Sequence, residues 1–303
     1  MYVGGIRMKR TDINIRDPFV LVKDGKYYMY GSRGETVWGL ADGFDVYVSK
    51  DLEEFDGPYE VFRRPEGFWA DRHYWAPEVH EYNGEYYMFA SFKAENMCRG
   101  TQILRAKTPM GPFELYSDGP VTPRDYESLD GTLYVNSKGV PYIIFCHEWT
   151  QVVDGEVCYM ELSRDLKHAI GEPVVIFRGS SPEWTMEGEK QYVTDGPFVY
   201  RTIDGDLLII WSGFAKSGYV QAIARSDNGD ITGKWTQDKE LLFPDNGGHG
   251  MIFENLNGEL MLALHSPNKN PYERPVFIHV KDTGHTLYRK TLINKVVHSG
   301  YLR

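Results

Sequence analysis

Apolar and polar residues alternate in five separate segments of the chain, and all five share one layout. Each starts with a small or polar residue, runs through an alternating stretch, turns at a glycine and enters a second aromatic or aliphatic stretch. The segments are DPFVLVKDGKYYMYGS from residue 17, APEVHEYNGEYYMFAS from 76, DGTLYVNSKGVPYIIFCHEW from 130, DGPFVYRTIDGDLLIIWSGF from 195 and HGMIFENLNGELMLALHSPN from 249. Alternation with a period of two predicts strands, and glycine turns between such stretches predict hairpins. The predicted turn glycines are Gly25, Gly84, Gly139, Gly205 and Gly258.

A third predicted strand follows each hairpin, within residues 45–55, 103–115, 158–170, 221–235 and 275–287. No long segment carries the helical period of about 3.6 residues. Five similar units of this kind predict five small sheets repeated around an axis, which is an all-β, five-bladed β-propeller. Because one small sheet cannot bury enough apolar surface alone, we expect residues 1–303 to form a single domain. Two stacked β-sandwiches, the rival all-β arrangement, would not explain the fivefold repeat.

The composition agrees with this fold and narrows the class of ligand. Aromatic residues make up 14% of the 303 residues, with 21 Tyr, and Gly (31) outnumbers Pro (16), a mix that favours strands and turns. The formal net charge is −10 and the chain has no basic run. Because phosphate contacts require clustered cations, nucleic acid is a poor partner for this chain. A neutral ligand such as a glycan fits the composition better.

Neither disulfides nor a membrane span is expected. Cys98, Cys146 and Cys158 are odd in number and lack zinc-type spacing, so small buried thiols are the simplest interpretation. The longest apolar run, LLIIW at 207–211, is far too short to cross a bilayer. The first ten residues lack the apolar core of a signal peptide. We therefore expect a cytoplasmic protein, or a periplasmic or secreted one if a signal peptide has been removed.

Four of the five segment starts carry a titratable side chain. In a propeller the first strand of each blade lines the central channel, so Asp17, Ala76, Asp130, Asp195 and His249 should meet at one end of the axis. Carboxylates and an imidazole in one funnel would shift each other's pKa values, which is a feature of functional sites. Each Asp taken singly could be an ordinary turn residue, and His249 alone could be a buried core histidine. Their common place in the repeat favours a functional site, with His249 binding water or a cation.

Five motifs in order resemble glycoside hydrolase family 43, whose members are inverting five-bladed propeller enzymes that act on arabinose- and xylose-containing polysaccharides. The motifs are RDPFV at 16–20, YWAPEV at 74–79, SLDGTLY at 128–134, TDGPFVY at 194–200 and GGHGM at 247–251. The resemblance implies that Asp17 is the general base and that Asp130 orients the acid and tunes its pKa. It places Asp195 at the position of the general acid. It also implies that His249 binds a water molecule or a calcium ion in the channel.

The sequence departs from this family pattern at residue 195, where the family usually has Glu-Gly-Pro and this chain has Asp-Gly-Pro. A shorter side chain withdraws the proton donor, and acid catalysis requires hydrogen-bond reach. A tighter pocket could restore that reach, or Glu187 or Glu189 could donate the proton instead. A different activity is the third alternative. Asp195 remains our predicted acid.

Sugar binding requires flat apolar faces and hydrogen-bonding groups. Trp75 is the predicted stacking residue, Trp38 and Trp149 are predicted at the rim, and Glu78 either binds sugar hydroxyls or supports Trp75. Each Trp could equally be packed between blades. The arginines that could neutralise the carboxylates are Arg33, Arg99 and Arg274.

The predicted function is therefore hydrolysis of an oligosaccharide or polysaccharide, of the α-L-arabinofuranosidase, β-xylosidase, endo-xylanase or arabinanase type. No cofactor is required for this chemistry, and any calcium would be structural or electrostatic. Three alternatives remain. A glycan-binding propeller without activity fits the change at residue 195, a glycosyl phosphorylase would need a cationic phosphate site near Asp195, and a pure scaffold would have no use for converging acids. The sequence gives no oligomeric state.

Overall fold

The computed structural model describes residues 5–186 and 191–290 of the chain. Within these residues, strands form five separate antiparallel sheets, each built from consecutive strands, in the arrangement of a five-bladed propeller. The predicted all-β propeller is confirmed. All five predicted turn glycines have positive φ, as the hairpin turns require. Glu187 and Glu189, the alternative proton donors, lie outside the described residues.

Each blade is a sheet of four or five strands. Blade 1 contains β1 (Ile6–Lys9), a 3₁₀ turn (Arg10–Asp12), β2 (Ile15–Lys23), β3 (Lys26–Arg33), β4 (Gly43–Ser49) and β5 (Glu54–Arg63). Blade 2 contains β6 (Arg72–Tyr82), β7 (Glu85–Ala94), β8 (Met97–Ala106) and β9 (Glu114–Leu115). Blade 3 contains β10 (Ser128–Val135), β11 (Pro141–His147), a short helix α1 (Trp149–Val152), β12 (Glu156–Leu162) and β13 (Ala169–Arg178).

The last two blades follow the same plan. Blade 4 contains β14 (Asp195–Arg201), β15 (Leu207–Ala215), β16 (Gly218–Ser226) and β17 (Trp235–Gln237). Blade 5 contains β18 (Gly248–Glu254), β19 (Leu260–Ser266), β20 (Arg274–Asp282) and β21 (Leu287–Arg289). The strand order is sequential in blades 2 to 5, whereas in blade 1 it is β1-β5-β4-β3-β2, with the N-terminal strand at the outer edge.

Buried apolar side chains fill the spaces between neighbouring blades. Between blades 1 and 2, for example, Phe44, Phe62 and Phe92 pack with ring centroids about 6 Å apart, and Tyr74 lies 4.8 Å from Phe92. Such packing holds neighbouring first strands in fixed positions around the axis. The axis therefore serves as a rigid frame for the side chains that the first strands carry.

Side-chain contacts close the ring between blade 5 and blade 1. Arg16 forms an ion pair with Glu273 at 2.8 Å, Asn14 donates to the Glu273 carbonyl oxygen at 3.1 Å, and Arg10 donates to the carbonyl oxygen of Pro275 at 3.0 Å. Each of the two blades is continuous in sequence, so in the described residues no strand is shared between them. The closure brings the start of β2 against the start of β18.

One β-bulge recurs at the start of the first strand of every blade, where the strand pairing shifts register. The bulge residues have φ between 46° and 58°, the left-handed region, and are Asp17, Ala76, Asp130, Gly196 and His249. The prediction that Asp195 occupies the equivalent position is therefore wrong by one residue. The error came from aligning Asp195-Gly196 of blade 4 with Asp130-Gly131 of blade 3. In the structure, Gly196-Pro197 corresponds to Asp17-Pro18 of blade 1. Asp195 instead lies where blade 1 has Arg16 and blade 2 has Trp75.

Candidate active site

A cavity of about 150 Å³ lies at the end of the axis where the five bulges meet. It contains the three carboxylates and the histidine that the sequence indicated, together with aromatic side chains and one arginine. The side chains that line it are Arg16, Asp17, Val37, Trp38, Trp75, Leu129, Asp130, Glu148, Trp149, Asp195 and His249. The predicted convergence of acids is thus observed in the structure.

Hydrogen bonds between neighbouring blades fix the five bulges. In four blades the bulge N–H donates to a side chain on the second strand of the preceding blade. The four bonds are Ala76 N to Ser32 Oγ (2.8 Å), Asp130 N to Ser91 Oγ (2.9 Å), His249 N to Ser212 Oγ (2.7 Å) and Asp17 N to His265 Nδ1 (3.2 Å). Because a left-handed residue cannot use its N–H in the regular ladder, these side chains satisfy a buried donor.

The third blade breaks this pattern. Cys146 pairs with Leu129 at the position where the other blades carry Ser or His. A thiol is a weak acceptor, and the Gly196 N–H donates instead to Asp130 Oδ2 at 2.9 Å. Gly196 has φ of 51°, and a Cβ on it would lie 2.6 Å from the His249 ring, so this position requires glycine. The Asp130 carboxylate is thereby tied to the residue that follows Asp195.

Asp17 is buried among donors and cations. Ser32 Oγ donates to Oδ2 at 2.5 Å, and His249 Nδ1 lies 3.2 Å from Oδ1. Burial alone would raise the pKa of Asp17, but the charges of His249 and Arg16, with a smaller contribution from the Ser32 hydrogen bond, hold it below its usual value. Asp17 is therefore an ionised carboxylate at neutral pH.

His265 accepts the Asp17 N–H through Nδ1, which fixes this nitrogen as unprotonated. Burial and the nearby Arg16 charge lower the pKa of His265 to about 3, so its imidazole is neutral. Nε2 of the same ring lies 3.3 Å from Asn268 Oδ1 and donates to it. His265 thus positions Asp17 without adding a charge to the site.

The pKa of Asp195 is shifted in the opposite direction. Asp195 is buried, and burial raises its pKa to about 6, reinforced by the Asp17 charge and opposed by His249, by the Tyr219 hydrogen bond and by Arg16. The Tyr219 hydroxyl donates to Oδ2 at 2.9 Å. Among the described residues Oδ1 has no hydrogen-bond partner, and it is the oxygen left to carry a proton into the cavity.

The pKa of Asp130 is shifted in the same direction as that of Asp195. Burial raises it to about 7, with further contributions from Asp195 and Asp17, while His249 and the Gly196 N–H oppose the shift. His249 Nδ1 lies 3.6 Å from Asp130 Oδ2, so His249 stands between Asp17 and Asp130. The three aspartates in the cavity therefore differ in pKa: that of Asp17 is lowered, whereas those of Asp130 and Asp195 are raised.

The surroundings of His249 bear on the prediction that it binds a water molecule or a calcium ion. Burial would lower its pKa, but Asp17, Asp130, Asp195 and Glu78 together raise it, which favours the imidazolium. Nε2 is buried and has no hydrogen-bond partner among the described residues, so it fits one water molecule. Calcium takes six to eight oxygen ligands. Within the described ranges no group of three or more His, Cys, Asp or Glu side chains is arranged to hold a metal ion.

Three tryptophans form the walls of the cavity. Trp75 donates from Nε1 to the Val37 carbonyl oxygen at 2.5 Å, and the Arg99 guanidinium lies 3.6 Å from its ring centroid. Trp38 packs edge-to-face against Trp75 and is 57% exposed. Trp149, on helix α1, completes the group. The structure thus brings together all three tryptophans named from the sequence.

Glu78 lies elsewhere. It is buried, its Oε2 lies 3.1 Å from His80 Nε2, and it is not among the side chains that line the cavity. Its charge reaches the site through the raised pKa of His249. The placement fits a supporting role and does not favour direct contact with sugar, because Glu78 is buried beside His80 and does not line the cavity.

The neutralising arginines were mostly misidentified. Arg33 pairs with Asp42 and Asp45, and Arg274 donates to carbonyl oxygens, so neither reaches the carboxylate cluster. Arg99 is buried against Trp75, and its Nε lies 3.6 Å from Oε2 of Glu148, a carboxylate that lines the cavity. Arg16 is the arginine that lines the cavity, and its place in RDPFV beside Asp17 was the signal for it. Tyr219 had no local signal, because only the fold places β16 beside Asp195.

A model of the glycosyl hydrolases family 43 matches residues 12–300. The chain belongs to this family. The predicted family and the predicted class, a glycoside hydrolase, are confirmed at that level.

A solved endo-arabinase from Bacteroides thetaiotaomicron VPI-5482 is 36% identical, with a TM-score of 0.83 over 90% of this chain and 96% of that one. Two curated relatives match a shorter region, each over 46% of this chain and 45% of its own length. They are a xylosidase/arabinosidase from Humicola insolens, 26% identical over 151 residues, and an extracellular endo-α-(1→5)-L-arabinanase from Bacillus subtilis (strain 168), 21% identical over 150 residues. The match thus spans about half the length of these curated relatives.

In the described part of the chain, no helix has the length and apolar character needed to span a membrane.

Proposed function

We propose that the chain is an inverting glycoside hydrolase that cleaves arabinose- or xylose-containing glycans, with Asp17 as general base and Asp195 as general acid. The observation that carries this proposal is that the pKa values of two buried carboxyl groups in one cavity are shifted in opposite directions. The pKa of Asp17 is held low by His249 and Arg16 against the effect of burial, and the pKa of Asp195 is raised to about 6 by burial. Inverting hydrolysis requires one ionised and one protonated carboxyl group.

The proposed reaction follows from these states. Asp195 donates its proton to the oxygen of the glycosidic bond as that bond breaks, and Asp17 removes a proton from the water molecule that attacks the anomeric carbon from the opposite face. The new C–O bond forms on the face opposite to the broken one. Asp130, tied to the Gly196 N–H, keeps the segment that carries Asp195 in place. Its charge also raises the pKa of the acid when it is ionised.

The short side chain of Asp195 is held by Tyr219. The hydroxyl fixes Oδ2, which leaves Oδ1 for the proton transfer and limits the rotation of the carboxyl group. We propose that this support allows Asp to act where family members usually carry Glu.

Arabinan is the substrate we favour. The 36% identical endo-arabinase matches the chain over nearly all of its own length, whereas both curated relatives match over about half of theirs. The cavity of about 150 Å³ is smaller than the ~300–1,000 Å³ of pockets that enclose drug-sized ligands, so it accommodates one sugar unit at the cleaved bond.

A phosphorylase is not favoured. Arg16 is the only Lys or Arg among the described residues that line the cavity, and it is already paired with Glu273. A phosphate site would require free cationic donors. The non-hydrolytic glycan-binding alternative is separated from the enzyme by the assay described next.

The test is release of reducing sugar from α-1,5-linked arabino-oligosaccharides and β-1,4-linked xylo-oligosaccharides by the wild type, Asp17→Asn and Asp195→Asn. Loss of either group should lower kcat by about 10²–10⁴-fold, because each moves a proton in the transition state. Asp245→Asn is the matched control, since Asp245 is exposed and pairs with Arg289 outside the cavity. Full activity of Asp17→Asn, or saturable binding without sugar release by the wild type, contradicts the proposal.

We also propose that this chemistry requires no metal, since two carboxyl groups supply both proton transfers. A water molecule or a hydrated cation at His249 Nε2 would act through its charge. Dialysis against a chelator should leave kcat within about twofold of its starting value, and loss of activity that calcium restores would contradict this view.

A further inference from the structure

The catalytic cavity contains a fourth carboxylate, which neither proposed proton transfer uses. It belongs to Glu148, which stands between β11 and helix α1 in blade 3 and lines the cavity together with Trp149. The Glu148 side chain is only 12% exposed. Burial of a carboxylate costs free energy unless hydrogen bonds or an opposite charge compensate it, so the presence of Glu148 in the cavity needs an explanation.

Helix capping does not explain Glu148. It is the N-cap residue of α1, where a side-chain oxygen usually accepts a backbone N–H from the first turn of the helix. The Glu148 side chain makes no such hydrogen bond. Its main-chain carbonyl oxygen accepts the Gln151 N–H at 3.0 Å, so the start of the helix uses the backbone of Glu148 and not its carboxylate.

Arg99 balances the charge of Glu148 without hydrogen bonding to it. Arg99 lies on β8 of blade 2, is 4% exposed and places its guanidinium 3.6 Å from the centre of the Trp75 ring. Arg99 Nε lies 3.6 Å from Glu148 Oε2, which is near enough for charge attraction but beyond hydrogen-bond distance. Among the described residues, Nε and Nη1 of Arg99 have no hydrogen-bond partner. A carboxylate that served only to neutralise this arginine would form the paired hydrogen bonds that a guanidinium offers.

Backbone contacts hold Glu148 in place. The Glu148 N–H donates to the Glu127 carbonyl oxygen at 2.8 Å, and the Glu127 N–H donates to Gln151 Oε1 at 2.7 Å. Gln151 Nε2 donates to the Asp125 carbonyl oxygen at 2.8 Å, which ties α1 to the segment before β10. The Glu148 carboxylate therefore meets a ligand in the cavity without first ordering this part of the chain.

We propose that Glu148 is a specificity-determining residue, whose carboxylate accepts a hydrogen bond from a hydroxyl group on the ring of the sugar unit in the catalytic cavity. This inference rests on the proposed hydrolase function and adds to it a residue that moves no proton. The contact discriminates against a sugar that lacks the hydroxyl, because the buried carboxylate would then stay without a hydrogen bond.

Competitive inhibition by methyl α-L-arabinofuranoside and by its 2-deoxy and 3-deoxy forms is the direct test, with an α-1,5-linked arabino-oligosaccharide as substrate. In Glu148→Gln the inhibition constant of the parent glycoside should rise about tenfold, because a hydroxyl bonds more strongly to a charged acceptor than to a neutral amide. For the deoxy form that lacks the bonded hydroxyl, the wild type and Glu148→Gln should have the same constant. Methyl β-D-xylopyranoside and its deoxy forms take their place if the wild type cleaves xylo-oligosaccharides.

Glu148→Asp separates contact with the sugar from charge balance. Aspartate keeps the negative charge beside Arg99 and withdraws the carboxylate from the sugar, so it should show the same hydroxyl-specific loss. Wild-type inhibition constants in Glu148→Asp would overturn the contact. Glu85→Gln is the matched control, because Glu85 also pairs with an arginine, Arg105 at 3.3 Å, but does not line the cavity. Its constants should equal those of the wild type.

The remaining outcomes separate this inference from the hydrolase proposal. An equal change in Glu148→Gln for the parent glycoside and both deoxy forms overturns the inference, because Glu148 would then act only through its charge or shape. Unchanged constants in Glu148→Gln, or a wild type that binds none of the methyl glycosides, also overturn it and leave the hydrolase proposal intact. If the wild type hydrolyses neither glycan, the hydrolase proposal fails, and calorimetric binding of the same glycosides then tests Glu148 in the same way.

Discussion

Asp17 and Asp195 carry the same side chain, and their neighbours give them opposite tendencies. Asp17 has two imidazoles, Arg16 and a hydroxyl within its surroundings, and its pKa is lowered even though it is buried. Burial raises the pKa of Asp195 to about 6, because the groups around it compensate the loss of water less well. Geometry and charge at single residues thus divide the two catalytic tasks.

The pH dependence of kcat/KM should follow from these two groups. Activity should fall at low pH as Asp17 gains a proton, and at high pH as Asp195 loses one, with the upper limb near pH 6. Tyr219→Phe removes a hydrogen bond that stabilises the Asp195 carboxylate, so its pKa should rise. The high-pH limb should move upward by about one pH unit.

Tyr200→Phe is the matched control for this prediction. The Tyr200 hydroxyl also donates to a carboxylate, that of Asp282 at 2.8 Å, but outside the cavity. Its profile should overlay that of the wild type. An upper limb that stays in place or moves downward in Tyr219→Phe would contradict the account.

At the residue scale, the sequence predicts the site residues that occupy repeated strand positions. It does not predict site residues that reach the cavity from another strand. Asp17 was found because equivalent positions in the repeat carry similar residues. Tyr219 reaches Asp195 from β16, which β15 separates from β14 in the sheet, and that contact depends on register, which the local pattern does not contain.

The five bulges and the hydrogen bonds between them organise the site at the scale of elements. Each bulge turns one residue into the left-handed region and leaves an N–H that needs a partner. Ser or His from the preceding blade supplies it in four cases, and Asp130 supplies it in the fifth. Cys146 stands where the other blades carry Ser or His, and the Gly196 N–H therefore donates to Asp130 instead.

Cys146→Ser should restore the hydrogen-bond pattern of the other blades and remove the Gly196 N–H bond from Asp130. A serine hydroxyl can accept the Gly196 N–H, and Asp130 Oδ2 would then lose a hydrogen bond that stabilises its charge. The pKa of Asp130 should rise, and one limb of the pH–rate profile should move to higher pH. The measurement is the profile of kcat/KM on an arabino-oligosaccharide.

Cys158→Ser is the control, because Cys158 is also a buried cysteine of blade 3 but lies on β12, outside this set of hydrogen bonds. Its profile should match that of the wild type even if its stability falls. Superposable profiles for Cys146→Ser and the wild type would show that the thiol does not direct the Gly196 N–H.

The strands and their turns were predictable, but the alignment of the repeats was not. Alternation and glycine turns marked all five hairpins, whereas the equivalence of Asp17 with Asp195 was wrong by one residue. Asp-Gly occurs in blades 3 and 4 for different reasons, and only the backbone conformation separates them: φ is positive at Asp130 in one blade and at Gly196 in the other.

At the scale of the whole molecule, ionisation of the converging carboxyl groups destabilises the folded protein. Five blades bring Asp130 and Asp195 into one buried cavity, and burial raises both pKa values, to about 7 and about 6. A carboxyl group with a raised folded pKa stabilises the protein fully below its unfolded pKa, and this contribution is lost as the pH rises through the folded value. The loss runs from about pH 4 to about pH 7.

Asp130→Asn should therefore stabilise the protein at high pH. The amide keeps an acceptor for the Gly196 N–H and cannot ionise. We expect the melting temperature to rise by a few °C at pH 8 and to change little at pH 4, as measured by thermal unfolding at both values. Asp245→Asn, at an exposed carboxylate, is the control. An equal change at both pH values, or lower stability of Asp130→Asn at pH 8, would contradict this electrostatic view.

The overall fold was the most predictable level, because a fivefold repeat allows few architectures. The closure of the ring was not predictable: it depends on contacts such as that of Arg16 with Glu273, which lie far apart in the sequence.

The configuration of the newly released sugar tests the central claim most directly. Proton NMR during the first minutes of hydrolysis of an α-linked arabino-oligosaccharide, before mutarotation, identifies the anomer that the enzyme forms. Asp17 activating water opposite Asp195 predicts the inverted β-anomer. Initial release of the α-anomer would mean retention of configuration and would contradict the roles assigned to both aspartates.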